Sequence, residues 1–228
     1  MKIKYLGHSG FQFSLGKFQI VVDPFITHNP LCANKVDLNE VAADFILLTH
    51  AHEDHIADAE SLAQRTGAVI ISVYEVATHF QKLGLEAIPM NIGGTIDLAF
   101  GNIRLVNAVH SSSFPNGKNG GGICCGFVIS SENQNFYISG DTALTLDMKL
   151  IPMLYQKLDF AILCIGNHFT MGVDDAIVAS NFIKCDQIIG CHYNTFPPIE
   201  IDKTKSIEKF KSRNKELILM DVGSVKEI

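Results

Sequence analysis

The chain is 228 residues long, enough for one large domain or two small ones, and its 47% hydrophobic and 18% charged residues exclude an intrinsically disordered protein. A net charge of −6 argues against nucleic acid as the main partner, because backbone binding needs clustered Lys and Arg, and the stretch Lys203 to Lys215 is interleaved with acids as a solvated helix face would be. No apolar run approaches the length of a membrane span and no signal-peptide core follows Met1, so a soluble, cytoplasmic protein with no membrane partner is expected.

From the N-terminus, Ile3 to Leu6, Phe11 to Leu15 and Phe18 to Val22 read as short strands, with turns marked by Gly10 and the Gly16-Lys17 pair. Phe45 to Leu48 is a buried strand. Asp58 to Thr66 is helical and closes at Gly67, Val69 to Ser72 is a strand, and Glu75 to Leu83 is a helix closed by Gly84. Strands dominate from Ile96 to Tyr137, at Ile103 to Val109, Gly126 to Ser130 and Asn135 to Ile138. Helices at about Leu146 to Leu158, Asp174 to Ile183 and Lys203 to Lys211 then alternate with strands at Phe160 to Leu163, Gln187 to Ile189 and Leu217 to Met220. This order predicts a layered α/β fold. With no repeat and no linker, residues 1–228 read as a single domain. The six cysteines show neither zinc-ribbon spacing nor a paired framework, and most lie in apolar runs as small hydrophobes of a reduced compartment. No pattern specifies an oligomeric state.

Of nine histidines, five fall at the ends of strand-like runs. Phe45 to Leu48 leads through Thr49 to His50. Leu105 to Val109 leads to His110, Phe136 to Ile138 through Ser139-Gly140 to Asp141, and Ile188-Ile189 through Gly190-Cys191 to His192. Loops at strand ends, held by a rigid scaffold, are where catalytic groups collect. Imidazole and carboxylate are ordinary ligands of zinc and other first-row divalent ions. In an extended segment His50 and His52 project to one face, while Asp54 and His55 fall where the chain turns into a helix. Singly, each has a plain reading: Asp54 as a helix cap, Asp141 as a turn residue, His110 and His192 as hydrogen-bonded histidines. The cluster His50, His52, Asp54, His55 has no structural purpose of that kind.

His50-Ala51-His52-Glu53-Asp54-His55 matches the HxHxDH signature of the metallo-β-lactamase superfamily, and Asp23, His110, Asp141 and His192 match its other motifs in order. Gly7-His8-Ser9, Asp23-Pro24-Phe25, Asn167 to Gly172 and His192 to Pro197 narrow the resemblance to a small family of metal-dependent hydrolases related to ascorbate-phosphate lactonase-like proteins. The resemblance spans nearly the whole chain. It implies an αββα sandwich and two divalent ions, with zinc the leading candidate and manganese, iron or nickel as alternatives. His50, His52 and His110 would hold one ion, Asp54, His55 and His192 the other, and Asp141 would bridge them. Asp23 would stand behind the ligands and fix the tautomer of one of the histidines.

The activity this implies is hydrolysis of a small-molecule ester-like bond (lactone, thioester or phosphodiester) by a metal-held hydroxide that Asp54 and Asp141 orient. His8 and His168 are candidate pocket residues and proton donors, with a turn and a loop histidine as the plainer readings. The chain departs from its apparent relatives at Asn167 and His168, where many carry an acid and an amide, and at His28, where many carry a small residue. His28 and His79 read as surface or helical residues, and Asn116 to Gly122 as a connecting loop or a flap. Rival expectations are a di-iron oxidoreductase, whose kind typically places an acid where His52 stands, and a non-catalytic metal-binding protein.

Overall fold

The computed structural model describes residues 1–228 apart from Asn116, Lys118, Asn119, Asn133 and Gln156. The flap reading of 116–122 therefore falls in part outside the described residues. The chain forms two compact units, one of Met1–Ile92, Ser111–Ile123 and Asp221–Ile228, the other of Gly93–His110 and Cys124–Met220.

The first unit is built on a seven-stranded sheet. With strands numbered along the chain, these are β1 (Lys2–Gly7), β2 (Gly10–Leu15), β3 (Phe18–Val22), β4 (Phe45–Leu47), β5 (Val69–Val73) and β6 (Ala87–Met90), with β14 (Val225–Glu227) pairing outside β1. β1, β2 and β3 pair antiparallel, whereas β3 to β6 run parallel. β1, β3 and β4 therefore point the same way and deliver their C-terminal ends to one edge. Short helices follow: α1 (Glu53–Ile56), α2 (Ala59–Thr66) and α3 (Tyr74–Lys82). Leu62 and Ala63 of α2 and Val76, Ala77 and Phe80 of α3 are buried, and both helices pack against β5. That matches their 3.6-residue apolar spacing.

The second unit holds the other seven strands, in the order β13-β12-β11-β10-β9-β8-β7. These are β7 (Thr95–Leu98), β8 (Gly101–Asn107), β9 (Cys125–Ser130), β10 (Asn135–Ile138), β11 (Phe160–Cys164), β12 (Gln187–Cys191) and β13 (Glu216–Ile218). β7 to β10 are antiparallel and β10 to β13 parallel. Every residue of β11 is buried, as expected of a parallel strand covered on both faces. The helices here are α4 (Ile151–Leu154), α5 (Val173–Phe182) and α6 (Lys203–Lys211), with α5 against β11 and α6 against β13.

The expected helix from Leu146 to Leu158 is corrected. The chain forms a 3-10 turn over Leu146–Leu150 and then the single α turn of α4. Pro152 lies in the first turn of α4, where its missing N–H is tolerated, but it cannot carry an unbroken i→i−4 ladder through the segment. Among the described residues no helix is long and apolar enough to cross a membrane. All six cysteines are buried.

Candidate metal centre

In the first unit the site residues follow the C-terminal ends of the co-directed strands. His8 comes after β1, Asp23 after β3, and His50 after β4 and its extension Leu48-Thr49. The backbone turns sharply at two of these ends, with φ of +56° at His8 and +42° at Asp23. Left-handed backbone costs a non-glycine residue about 1–2 kcal/mol and persists only where the surroundings impose it. Gly7, just before His8, has φ +97°, and a Cβ there would stand 2.8 Å from Cys32 Sγ and 2.9 Å from Asn29 Nδ2. Only glycine fits so close a passage.

Asp23 is 1% exposed and organises the group. Its Oδ1 accepts from the Thr49 backbone N–H at 2.9 Å, and its Oδ2 accepts from the Thr49 hydroxyl at 2.7 Å. The same Oδ2 lies 2.8 Å from His55 Nδ1. Since the Thr49 hydroxyl gives its proton to Asp23, it takes one from His50 Nδ1, 3.0 Å away. One carboxylate thus holds two buried imidazoles, His55 directly and His50 through Thr49, and turns the Nε2 atom of each away from itself. This is how ligand histidines are usually oriented. Thr49 carried no role in the sequence reading. Its signal was only a hydroxyl residue directly before His50, and Asp23 lies 26 positions away.

The donor atoms fit a divalent ion. His50 Nε2 lies 2.9 Å from His52 Nδ1. Two nitrogens on one tetrahedral zinc, each at about 2.0–2.1 Å, stand about 3.3 Å apart, so a shared ion needs only a small adjustment. Asp54 sits inside α1 rather than capping it, and its Oδ2 is 3.0 Å from Nε2 of the fully buried His8. His8, Asp54 and His55 each offer a ligand atom within 4.8 Å of the others. His8 thus lies in a turn, with its ring against the Asp54 carboxylate. Ser111 Oγ is 3.5 Å from His52 Nε2, and Ser112 Oγ accepts from the Ala51 N–H at 3.2 Å.

In the second unit β8, β10 and β12 run in one direction, and His110, Asp141 and His192 follow their C-terminal ends. Asp141 Oδ2 is 2.9 Å from His192 Nε2 and 3.7 Å from His110 Nε2. His192 is 2% exposed with φ +54°, and a Cβ on Gly166 would collide with its carbonyl oxygen, so that position too admits only glycine. Thr142 ties the surrounding loops: its hydroxyl accepts from the Val109 N–H and its carbonyl from the Met171 N–H, both at 2.9 Å. Burial, with the Asp141 carboxylate next in importance, pushes the Cys164 thiol up to about 11. Within each unit the predicted ligands are thus brought together.

The remaining histidines fall outside these groups. His168 is exposed in the turn between Gly166 and Gly172, edge-on to Phe169 with ring centroids 4.4 Å apart. His28 is exposed, and His79 of α3 stacks on Phe114 at 4.2 Å, with burial lowering its pKa.

A family profile described as a β-lactamase superfamily domain matches residues 19–193. A protein of Christiangramia forsetii, named a UPF0173 metal-dependent hydrolase, is 54% identical over 228 residues and is covered in full, as is this chain. Among solved structures, Igni18, a metallo hydrolase from Ignicoccus hospitalis, matches 100% of this chain and 98% of its own at 34% identity and a TM-score of 0.89. CmlA, a diiron β-hydroxylase of Streptomyces venezuelae, is matched over 54% of its length at a TM-score of 0.77 and 10% identity, a likeness of fold alone.

Proposed function

We propose that this chain, which belongs to the UPF0173 family of metal-dependent hydrolases within the β-lactamase superfamily, cleaves an ester-like bond of a small molecule (a lactone, thioester or phosphodiester) at a dinuclear metal centre. Its α/β fold is of the metallo-β-lactamase type. The observation that carries the proposal is the pair of imidazoles held by Asp23, His55 at 2.8 Å and His50 through the Thr49 hydroxyl. An imidazole whose Nδ1–H is so engaged presents Nε2 as a neutral donor, the form a divalent ion takes.

His50, His52 and His110 would hold one ion, and Asp54, His55 and His192 the other, with Asp141 shared. Zinc is the leading candidate, ahead of manganese, iron and nickel. When bound, such ions lower the pKa of water towards about 7 and polarise the bond under attack. The Asp54 and Asp141 carboxylates orient the attacking water and accept its hydrogen bond. His8, 3.0 Å from Asp54 Oδ2, holds that carboxylate in place. His168 is the candidate proton donor to the leaving group. Residues 1–228 would act as one cytoplasmic hydrolase domain.

The test is elemental analysis of purified protein followed by turnover of generic ester, lactone and phosphodiester probes. Close to two divalent ions per chain and metal-dependent turnover of at least one probe class are expected. A fully loaded protein that turns over none of them would overturn the reading.

A further inference from the structure

His50 and His52 lie beyond the end of β4 at Leu47, so the sheet ladder does not fix them. Their rings nonetheless stand with His50 Nε2 2.9 Å from His52 Nδ1. The backbone between them is held from outside. Ala51, fully buried, gives its N–H to Ser112 Oγ at 3.2 Å. The same hydroxyl donates to the Gly121 carbonyl at 2.8 Å, and the Gly121 N–H returns to the Ser112 carbonyl at 3.2 Å. Ser112 and Gly121 thus form a closed pair with the Ser112 side chain turned onto Ala51. Gly121 is buried, and a Cβ there would collide with both Ser112 Oγ and Ala51 Cβ, so only glycine lets the pair close on the turn.

We propose that Ser112 is a positioning residue for one ion of the centre, the one that His50 and His52 share; this rests on the dinuclear reading above. The Asp23 carboxylate orients the rings of His55 and, through Thr49, of His50. What sets His52 relative to His50 is the short backbone that joins them, and the Ala51 N–H is one of its two amides. Ser111, the neighbour of Ser112, has its Oγ 3.5 Å from His52 Nε2, the ring nitrogen that does not face His50. Without the Ser112 hydroxyl the Ala51 N–H is a buried donor lacking its acceptor, a costly state that the turn relieves only by shifting. Such a shift moves the two donor nitrogens apart. His55 sits in α1 with its Nδ1 2.8 Å from Asp23 Oδ2, and neither contact involves Ser112. The loss therefore falls on the ion of His50 and His52 and spares the ion of His55.

Histidine-ring NMR of the full chain, with free zinc set by a chelator buffer, tests the proposal. In the wild type the ring signals of His50, His52 and His55 shift as zinc is added. In Ser112→Ala the His55 signals shift at the wild-type zinc concentration, whereas those of His50 and His52 require about tenfold to a hundredfold more. Ser112→Cys, which keeps a weak acceptor at the same place, falls between the two. Should Ser112→Ala fail to fold, Ser112→Cys alone gives the same selective pattern. An equal loss at all three rings makes Ser112 a general support of the fold and overturns the proposal, and so does an unchanged response. Wild-type rings that do not respond to zinc at all sink the metal reading itself, and this proposal with it.

Discussion

At the scale of single residues, Asp23 holds two imidazoles and its own backbone is left-handed, so the choice of substitution matters. Asparagine tolerates φ of +42° and keeps the side chain's shape, but it has one acceptor oxygen where Asp23 has two. With that oxygen kept on the Thr49 N–H, the amide group faces His55 Nδ1. Asp23→Asn is expected to lower metal affinity about tenfold to a hundredfold with the fold retained, as read by competition with a chelator; unchanged affinity would make Asp23 a purely structural residue. His52→Ala and Asp141→Ala should abolish hydrolysis and reduce bound metal while leaving the circular dichroism spectrum intact. Wild-type turnover in either would remove it from the site. His168 lies on an exposed turn, so its role separates by leaving group. As a general acid it contributes about a hundredfold to ten-thousandfold with poor leaving groups and little with nitrophenyl esters. His168→Ala should therefore slow the first class alone, without loss of metal, and equal slowing of both would leave it a binding or structural residue. Four of the candidate ligand residues were legible because His50, His52, Asp54 and His55 stand within six positions. The Asp23–Thr49–His50 link was not, because hydrogen bonds between strands leave no spacing rule.

At the scale of elements, the strands inside each sheet were readable and three of the four edge strands were not. β3 and β10 have the bounds their β-branched and aromatic runs predict. β6, β7 and β14 went unrecognised as strands. All three are sheet edges of three or four residues, and β6 contains Pro89, which an edge strand tolerates because it has no ladder partner on one side. Helix starts were also partly legible: Asp58 was read as the first residue of α2. Its carboxylate instead accepts from the backbone N–H groups of Ile26, at 2.5 Å, and Thr27, at 2.9 Å, and from the Thr27 hydroxyl. Asp58 thus ties the loop after Asp23 to the start of α2. Asp58→Ala should cost about 2 kcal/mol in urea unfolding, since it removes the acceptor of the buried Ile26 N–H and of the two part-buried Thr27 donors. A loss below 1 kcal/mol, on the order of a neutral surface contact, would show that the loop holds itself.

At the scale of the whole chain, composition and strand–helix order were enough to predict an α/β fold, because burial patterns are written along the sequence. The pairing of the strands, fourteen among the described residues, into two sheets of seven was not written there. The buried thiols give a property of the chain as a whole. Burial pushes Cys32 and Cys185 from an ordinary value of 9.0 up to about 11. A pKa raised by folding contributes stability that is full below the unfolded value and lost as pH rises through the folded one. Melting temperature should therefore fall between about pH 9 and pH 11, and Cys185→Ala should make that fall shallower in calorimetry; an identical slope would assign it to other groups. The left-handed backbones at His8, Asp23 and His192 also set which descendants of this sequence are reachable. There the aim of each side chain comes from a backbone bend that asparagine, aspartate or glycine can share and a β-branched residue cannot. Random mutation at those positions should leave a narrow set of survivors. Selection for a new substrate should instead accumulate changes at Val109, Ala143 and Phe169, which are exposed beside the loops tied by Thr142 and have ordinary backbones.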